Sequence, residues 1–184
     1  MKHIKISFCI LLCVFMLASC GKTDNTDYFA SALQGSDEET RYMPLIFKSM
    51  DAPEDVRISS LADGTTTFTV EKSITAESGN VYHYANIHIQ KHNSDINGSI
   101  DETIDSYVEE AESIVNAVKH EYGGKKYAVS YEIRPDLDCT VLNVIYPVTD
   151  NISAFFALRL SETPDSMTDE LLDTICKDTE VMKI

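Results

Sequence analysis

Three groups of residues have the types and spacing to do chemistry. The first is the stretch from Asn93 to Ile104. It sets oxygen-bearing Asn93, Asp95 and Asn97 at alternate positions, with Gly98 sixth and Asp101 ninth. Calcium takes about six to eight oxygens, and a loop of this kind depends on a bidentate Glu at its twelfth position. Ile104 stands there, so the principal ligand is missing. The competing reading is a polar strand-to-helix turn in which Ser99 and Glu102 form a capping box. The second group is His83, His88, His92 and His120. His88 and His92 share a strand face, but four residues along a strand separate them by about 13 Å, too far for one metal ion. They read as solvated strand histidines. The third group is Cys139 and Cys176. In an oxidising compartment they would close a loop of about 37 residues, worth about 3–4 kcal/mol, or else stay as two buried thiols.

The Asn93–Ile104 pattern resembles an EF-hand loop without its closing Glu. No other signature of catalysis or cofactor binding is present: no Gly-x-Ser-x-Gly elbow, no phosphate-cradling glycine loop and no His-Glu-x-x-His. A non-catalytic protein without a cofactor is expected. The 184 residues carry 15 Lys+Arg against 30 Asp+Glu, a net charge of −15. That excess of acid excludes nucleic acid as a partner, because no basic stripe can displace counterions from phosphate. It also opposes electrostatic docking on anionic lipid.

The N-terminus has the order of a secretory leader. Lys2, His3 and Lys5 precede an apolar run from Ile6 to Leu17, too short to span a bilayer, followed by Leu17-Ala18-Ser19-Cys20. This motif resembles the lipobox of bacterial lipoproteins. The resemblance implies removal of residues 1–19 as a signal peptide and diacylation (palmitate-type lipidation) of Cys20. The bilayer is then a partner through the acylated Cys20, since two chains anchor firmly where one is marginal. The chain would sit on the cell membrane or outer membrane, facing the periplasm or exterior. Gly21 in place of Asp after the cysteine favours the outer membrane in a host that has one. Loss of Lys2 and Lys5 with no acid leaves the remainder at −17. Residues 20–41 are expected to be the lipidated cysteine and a polar tether, and residues 42–184 one domain.

The elements that position these residues follow from hydrophobic periodicity. Phe68 and Val70 alternate with threonines, and Val81, Ala85, Ile87 and Ile89 alternate with Tyr82, Tyr84, Asn86, His88 and Gln90, giving a hairpin. The period then changes to 3.6. Ile104, Tyr107, Val108, Ala111, Ile114, Val115, Val118 and Tyr122 share one face of a long helix that Gly123-Gly124 ends. Strands over 127–133, 139–148 and 152–160 form a meander, the middle one apolar on both faces. A C-terminal helix then carries Leu171, Leu172, Ile175, Cys176 and Met182. The fold class is α+β, with helices on an antiparallel sheet. This element order resembles the PsbP-like fold over roughly residues 42–184, and it carries no functional residue with it.

One surface remains. Tyr82, Tyr84, Val141, Ile145 and Phe155 point away from the strand faces that the long helix is expected to cover. Either the C-terminal helix and Tyr42–Phe47 cover them, or they form a binding face. Two functions are therefore expected: an anchored accessory or binding protein acting on another envelope protein, or a receptor for a small ligand or cation through that face or the 93–104 loop.

Overall fold

Among the residues that the computed structural model describes, 24–92, 100–112 and 114–184, one central sheet organises the chain. Cys20, the leader, and Asn93, Asp95, Asn97 and Ser99 of the candidate calcium loop lie outside them. The sheet contains β2 (Arg57–Ser60), β3 (Thr65–Val70), β4 (Ile74–Thr75), β5 (Val81–Lys91), β6 (Asn116–Tyr122), β7 (Lys125–Arg134), β8 (Cys139–Thr149) and β9 (Ile152–Leu160). Its order is β2-β3-β5-β9-β8-β7-β6, antiparallel throughout, with β4 beside β5. A two-stranded sheet pairs β1 (Tyr42–Pro44) with β10 (Val181–Lys183). The helices are α1 (Thr26–Ala32), α2 (Ile100–Glu112) and α3 (Asp169–Asp178). The class is α+β, as the periodicity implies.

Strand register explains the core. Ile58, Phe68, Ile87, Phe156, Val144, Val129 and Val118 are successive partners across seven strands. They form one apolar row on the inner face. Phe29 and Leu33 of α1, Met43, Ile46 and Phe47, and Leu172, Ile175 and Cys176 of α3 close over that face. Phe29 stacks on Phe47 at 5.5 Å, and Phe47 lies 5.8 Å from Phe68. Cover of the core extends back at least to Asn25, ahead of residue 42, because Asn25 Nδ2 donates to the Phe47 and Met50 carbonyls at 3.0 and 2.8 Å. Within residues 25–41, Phe29 and Leu33 belong to the core itself.

Three further expectations need correction. The long helix stops at Glu112, and residues 116–122 are a strand. Val118, His120 and Tyr122 alternate with Lys119 and Glu121, a period-2 pattern that the helical repeat had absorbed. Gly123 and Gly124, at φ 59° and 76°, form the β6–β7 hairpin turn, where positive φ at both central residues suits glycine. Met182 lies on β10 opposite Met43, beyond α3. Tyr82 points inward and is fully buried. From Tyr82 to Ala85, β5 advances three residues while β9 advances two, from Leu160 to Leu158. This bulge reverses the alternation before Ala85.

The inward Tyr82 contributes to a buried polar lock. Asp178 at the end of α3 accepts hydrogen bonds from Ser78 Oγ at 2.7 Å, Asn80 Nδ2 at 2.9 Å and the Tyr82 hydroxyl at 2.9 Å. Desolvation and the neighbouring Asp178 raise the Tyr82 phenol well above its ordinary range. Replacing Asp178 with Ala strands these donors, so urea unfolding is expected to register a loss of about 2–3 kcal/mol. Phe156→Ala, at the centre of the apolar row, is expected to cost about 3–5 kcal/mol in the same assay.

Candidate functional site

Among the described residues, α2 covers one side of the outer face of the sheet. Ile100, Ile104 and Val108, spaced one turn apart, place the apolar stripe of α2 on Ala128 and Ile145. Tyr107 lies beside them, its hydroxyl 2.8 Å from Ser130 Oγ. The helix reaches β6, β7 and β8. The register row on this face runs Thr67, His88, Phe155, Ile145, Ala128, Lys119. It is apolar under α2 and polar beyond it. Lys119 at the far edge pairs with Asp105 of α2 at 2.6 Å.

At that polar-to-apolar boundary lies a cleft of about 190 Å³, lined by His88, Gln90, His92, Thr103, Ile145, Ser153 and Phe155. Strands β5, β8 and β9 supply the floor, and the first turn of α2 supplies Thr103. Phe155 meets the Tyr107 ring edge-on at 6.4 Å and the tilted His88 ring at 5.9 Å. His88 Nδ1 is 3.0 Å from Thr67 Oγ1, and His92 Nε2 is 2.6 Å from Ser153 Oγ. His92 is 9% exposed, Ser153 is 3% exposed, and His92 Nδ1 is buried with no hydrogen-bond partner. Desolvation holds both imidazoles below the usual histidine range, favouring their neutral forms. Neutral imidazoles beside hydroxyls, with two apolar side chains, can receive a molecule that is part apolar and part hydrogen-bonding.

The expected binding face is thus partly assembled. Ile145 and Phe155 meet in the cleft, both on the face that the long helix covers and not the opposite one. The inversion follows from topology: α2 covers the outer face, while the N-terminal segment and α3 cover the inner. Val141 is half-buried, with Glu132 and Arg159 as its register neighbours, and Tyr84 is 38% exposed. Tyr82 belongs to the core. The histidines are not simply solvated. His92 is buried, and His120 Nε2 contacts Asp173 of α3 at 2.7 Å. Among the described residues, no group of three or more His, Cys, Asp or Glu could hold a metal ion. Asp101 is the second residue of α2, and residues 93–99 of the candidate calcium loop lie outside the described residues.

Cys139 and Cys176 are free, buried thiols, the first starting β8 and the second on α3 within the inner core. Of the two readings of this pair, the disulfide is the one not formed. Burial, with Asp173 and Glu180 nearby, pushes the Cys176 thiol up to about 12. Sequence reasoning missed Ser153, Gln90 and Thr103 as site residues. Ser153 had a usable signal, because strand alternation puts it on the same face as Phe155.

The fold and cleft define an antiparallel α+β sheet protein with a helix crossing half of its outer face. No protein family, curated protein or solved structure matches the chain.

The depressed histidines give stability a pH dependence with a fixed sign. A histidine whose folded value lies below the ordinary 6.5 leaves stability intact above that pH. Stability then falls as pH drops below it, because the unfolded chain takes up protons that the folded chain resists. Urea midpoints are expected to be flat above pH 6.5 and to decline between pH 6.5 and 5, with a shallower decline for His92→Gln. An equally steep decline in that variant would assign the effect elsewhere.

Proposed function

We propose that this chain is a lipid-anchored, non-catalytic binding protein of the cell envelope, acting as a receptor for a small molecule through its outer-face cleft. The cleft carries the reading: an open hollow containing a nine-tenths-buried histidine with one nitrogen unpartnered, beside the apolar surfaces of Ile145 and Phe155. Its polar pieces are held by hydrogen bonds to other strands, so the site is organised before a ligand arrives.

Anchoring is supported by the basic residues, apolar run and Leu17-Ala18-Ser19-Cys20 at the N-terminus. The burial of Asn25 adds a geometric consequence. Only Gly21 to Asp24 separate it from Cys20, and an extended chain of that length reaches about 18 Å. A lipid on Cys20 would hold the N-terminal cover close to the bilayer. The cleft opens on the other face of the sheet from that cover. A role toward another envelope protein has weaker support, since Lys119 and Glu121 on edge strand β6 discourage addition of a partner strand.

The wild-type chain is expected to incorporate radiolabelled palmitate and to sediment with membranes. Cys20→Ala is expected to lose the label and appear in the soluble fraction. Continued sedimentation of an unlabelled Cys20→Ala chain would overturn the anchoring.

A further inference from the structure

The chemistry of the cleft goes further than its existence and, resting on the receptor reading, specifies a ligand class. Among the described residues its lining contains no Asp, Glu, Lys or Arg, although the chain holds 30 acids and 15 bases. The titratable groups among the described lining residues are His88 and His92. An entering carboxylate would lose its hydration without meeting a cation, and the surrounding net charge of −15 would repel it. An ammonium would be drawn by that field but would find no carboxylate in the lining. A charged ligand of either sign is therefore disfavoured.

Size narrows the class further. The volume of about 190 Å³ slightly exceeds the roughly 150 Å³ of an apolar cavity that admits benzene. That is room for one ring and a small substituent. Ile145 and the Phe155 ring offer apolar contact for the ring. Ser153 Oγ, 2.6 Å from His92 Nε2, keeps lone-pair capacity when its proton lies toward the imidazole. An incoming hydroxyl can then donate to Ser153, with His92 polarising the pair from behind.

We propose that the cleft binds an uncharged, single-ring alcohol or phenol, its ring against Phe155 and Ile145 and its hydroxyl on the Ser153–His92 pair.

The test titrates phenol, toluene, benzoate and benzylammonium into the full chain at pH 7.5, followed by calorimetry and by chemical shifts of the lining residues. Phenol is expected to saturate with a Kd of about 1 mM or tighter, and toluene, benzoate and benzylammonium to bind at least about fivefold more weakly. Ser153→Ala is expected to erase the advantage of phenol over toluene. Gln90→Trp, which fills the rim without touching the core, is expected to abolish binding while the circular dichroism spectrum stays native. Benzoate or benzylammonium binding as well as phenol, with Gln90→Trp still blocking it, would overturn the ligand class and leave the receptor reading standing. No saturable binding by any probe, or binding indifferent to Gln90→Trp, would overturn both.

Discussion

The pairing of β9 with β5 governs the rest of the architecture. Their register runs from Tyr82–Leu160 to Lys91–Ile152, joining a first group of strands to a second group formed more than sixty residues later in the chain. Once β9 occupies the place beside β5, the meander that ends in β9 must begin at the far edge, with β6. The chain leaving β5 therefore crosses over β9, β8 and β7 to reach that edge. Helix α2 lies along this crossing, and its apolar stripe of Ile100, Ile104 and Val108 fits the small side chain of Ala128 and the branched Ile145. A helix of 13 residues is about 20 Å long and cannot roof every strand it passes. The cleft lies on the part of the crossing beyond the roof that α2 supplies.

The two faces of the sheet consequently have different characters. The inner face is sealed with large rings. Tyr127 and Tyr146 stack at 4.4 Å, and the Tyr146 hydroxyl donates to the Thr179 carbonyl, fixing the end of α3. Polar groups there are mostly tied to backbone or to Asp178, so the layer resists change in its contents. The outer face has a smaller cluster and several hydroxyl–imidazole and hydroxyl–amide contacts, including Thr67–His88, Thr69–Asn86 and Ser130–Asn143. Such contacts are short and directional but rest on less buried apolar area. The outer face is therefore better suited to exchanging one occupant for another.

Much of this was legible in the sequence wherever a run was long and its period unmixed. Phe68 and Val70, then Ala85, Ile87 and Ile89, and the alternation through β7, β8 and β9 gave strands with the correct inward faces. The reading failed where two periods fit the same letters. Ile114, Val115, Val118 and Tyr122 satisfy a helical stripe, yet residues 116–122 are also an alternating strand leading into Gly123-Gly124, and the tertiary demand for an edge strand decides. It failed again at Tyr82, since a bulge is set by the partner strand and leaves no local mark. Thr26–Ala32 looked like tether because its polar residues outnumber Phe29 and Leu33, but those two side chains are fully or almost fully buried by partners far along the chain. The Ser153–His92 pair joins residues 61 apart and was invisible to any motif of fixed spacing.

The smallest sheet has a consequence for how the molecule is made. Strand β1 near the start pairs with β10 at the end, and the Ile184 amide donates to the Arg41 carbonyl. The N-terminal cover is thus clasped by a strand that follows every strand of the central sheet. Without that strand Met43 lacks its partner Met182, and without α3 Asp178 does not reach the Ser78–Tyr82 segment, so the inner face has no complete lid. Pairing Tyr42 with Lys183 closes a loop of about 140 residues, which is entropically costly. The clasp is therefore expected to form after the hairpins of the sheet, sealing a core that is already assembled.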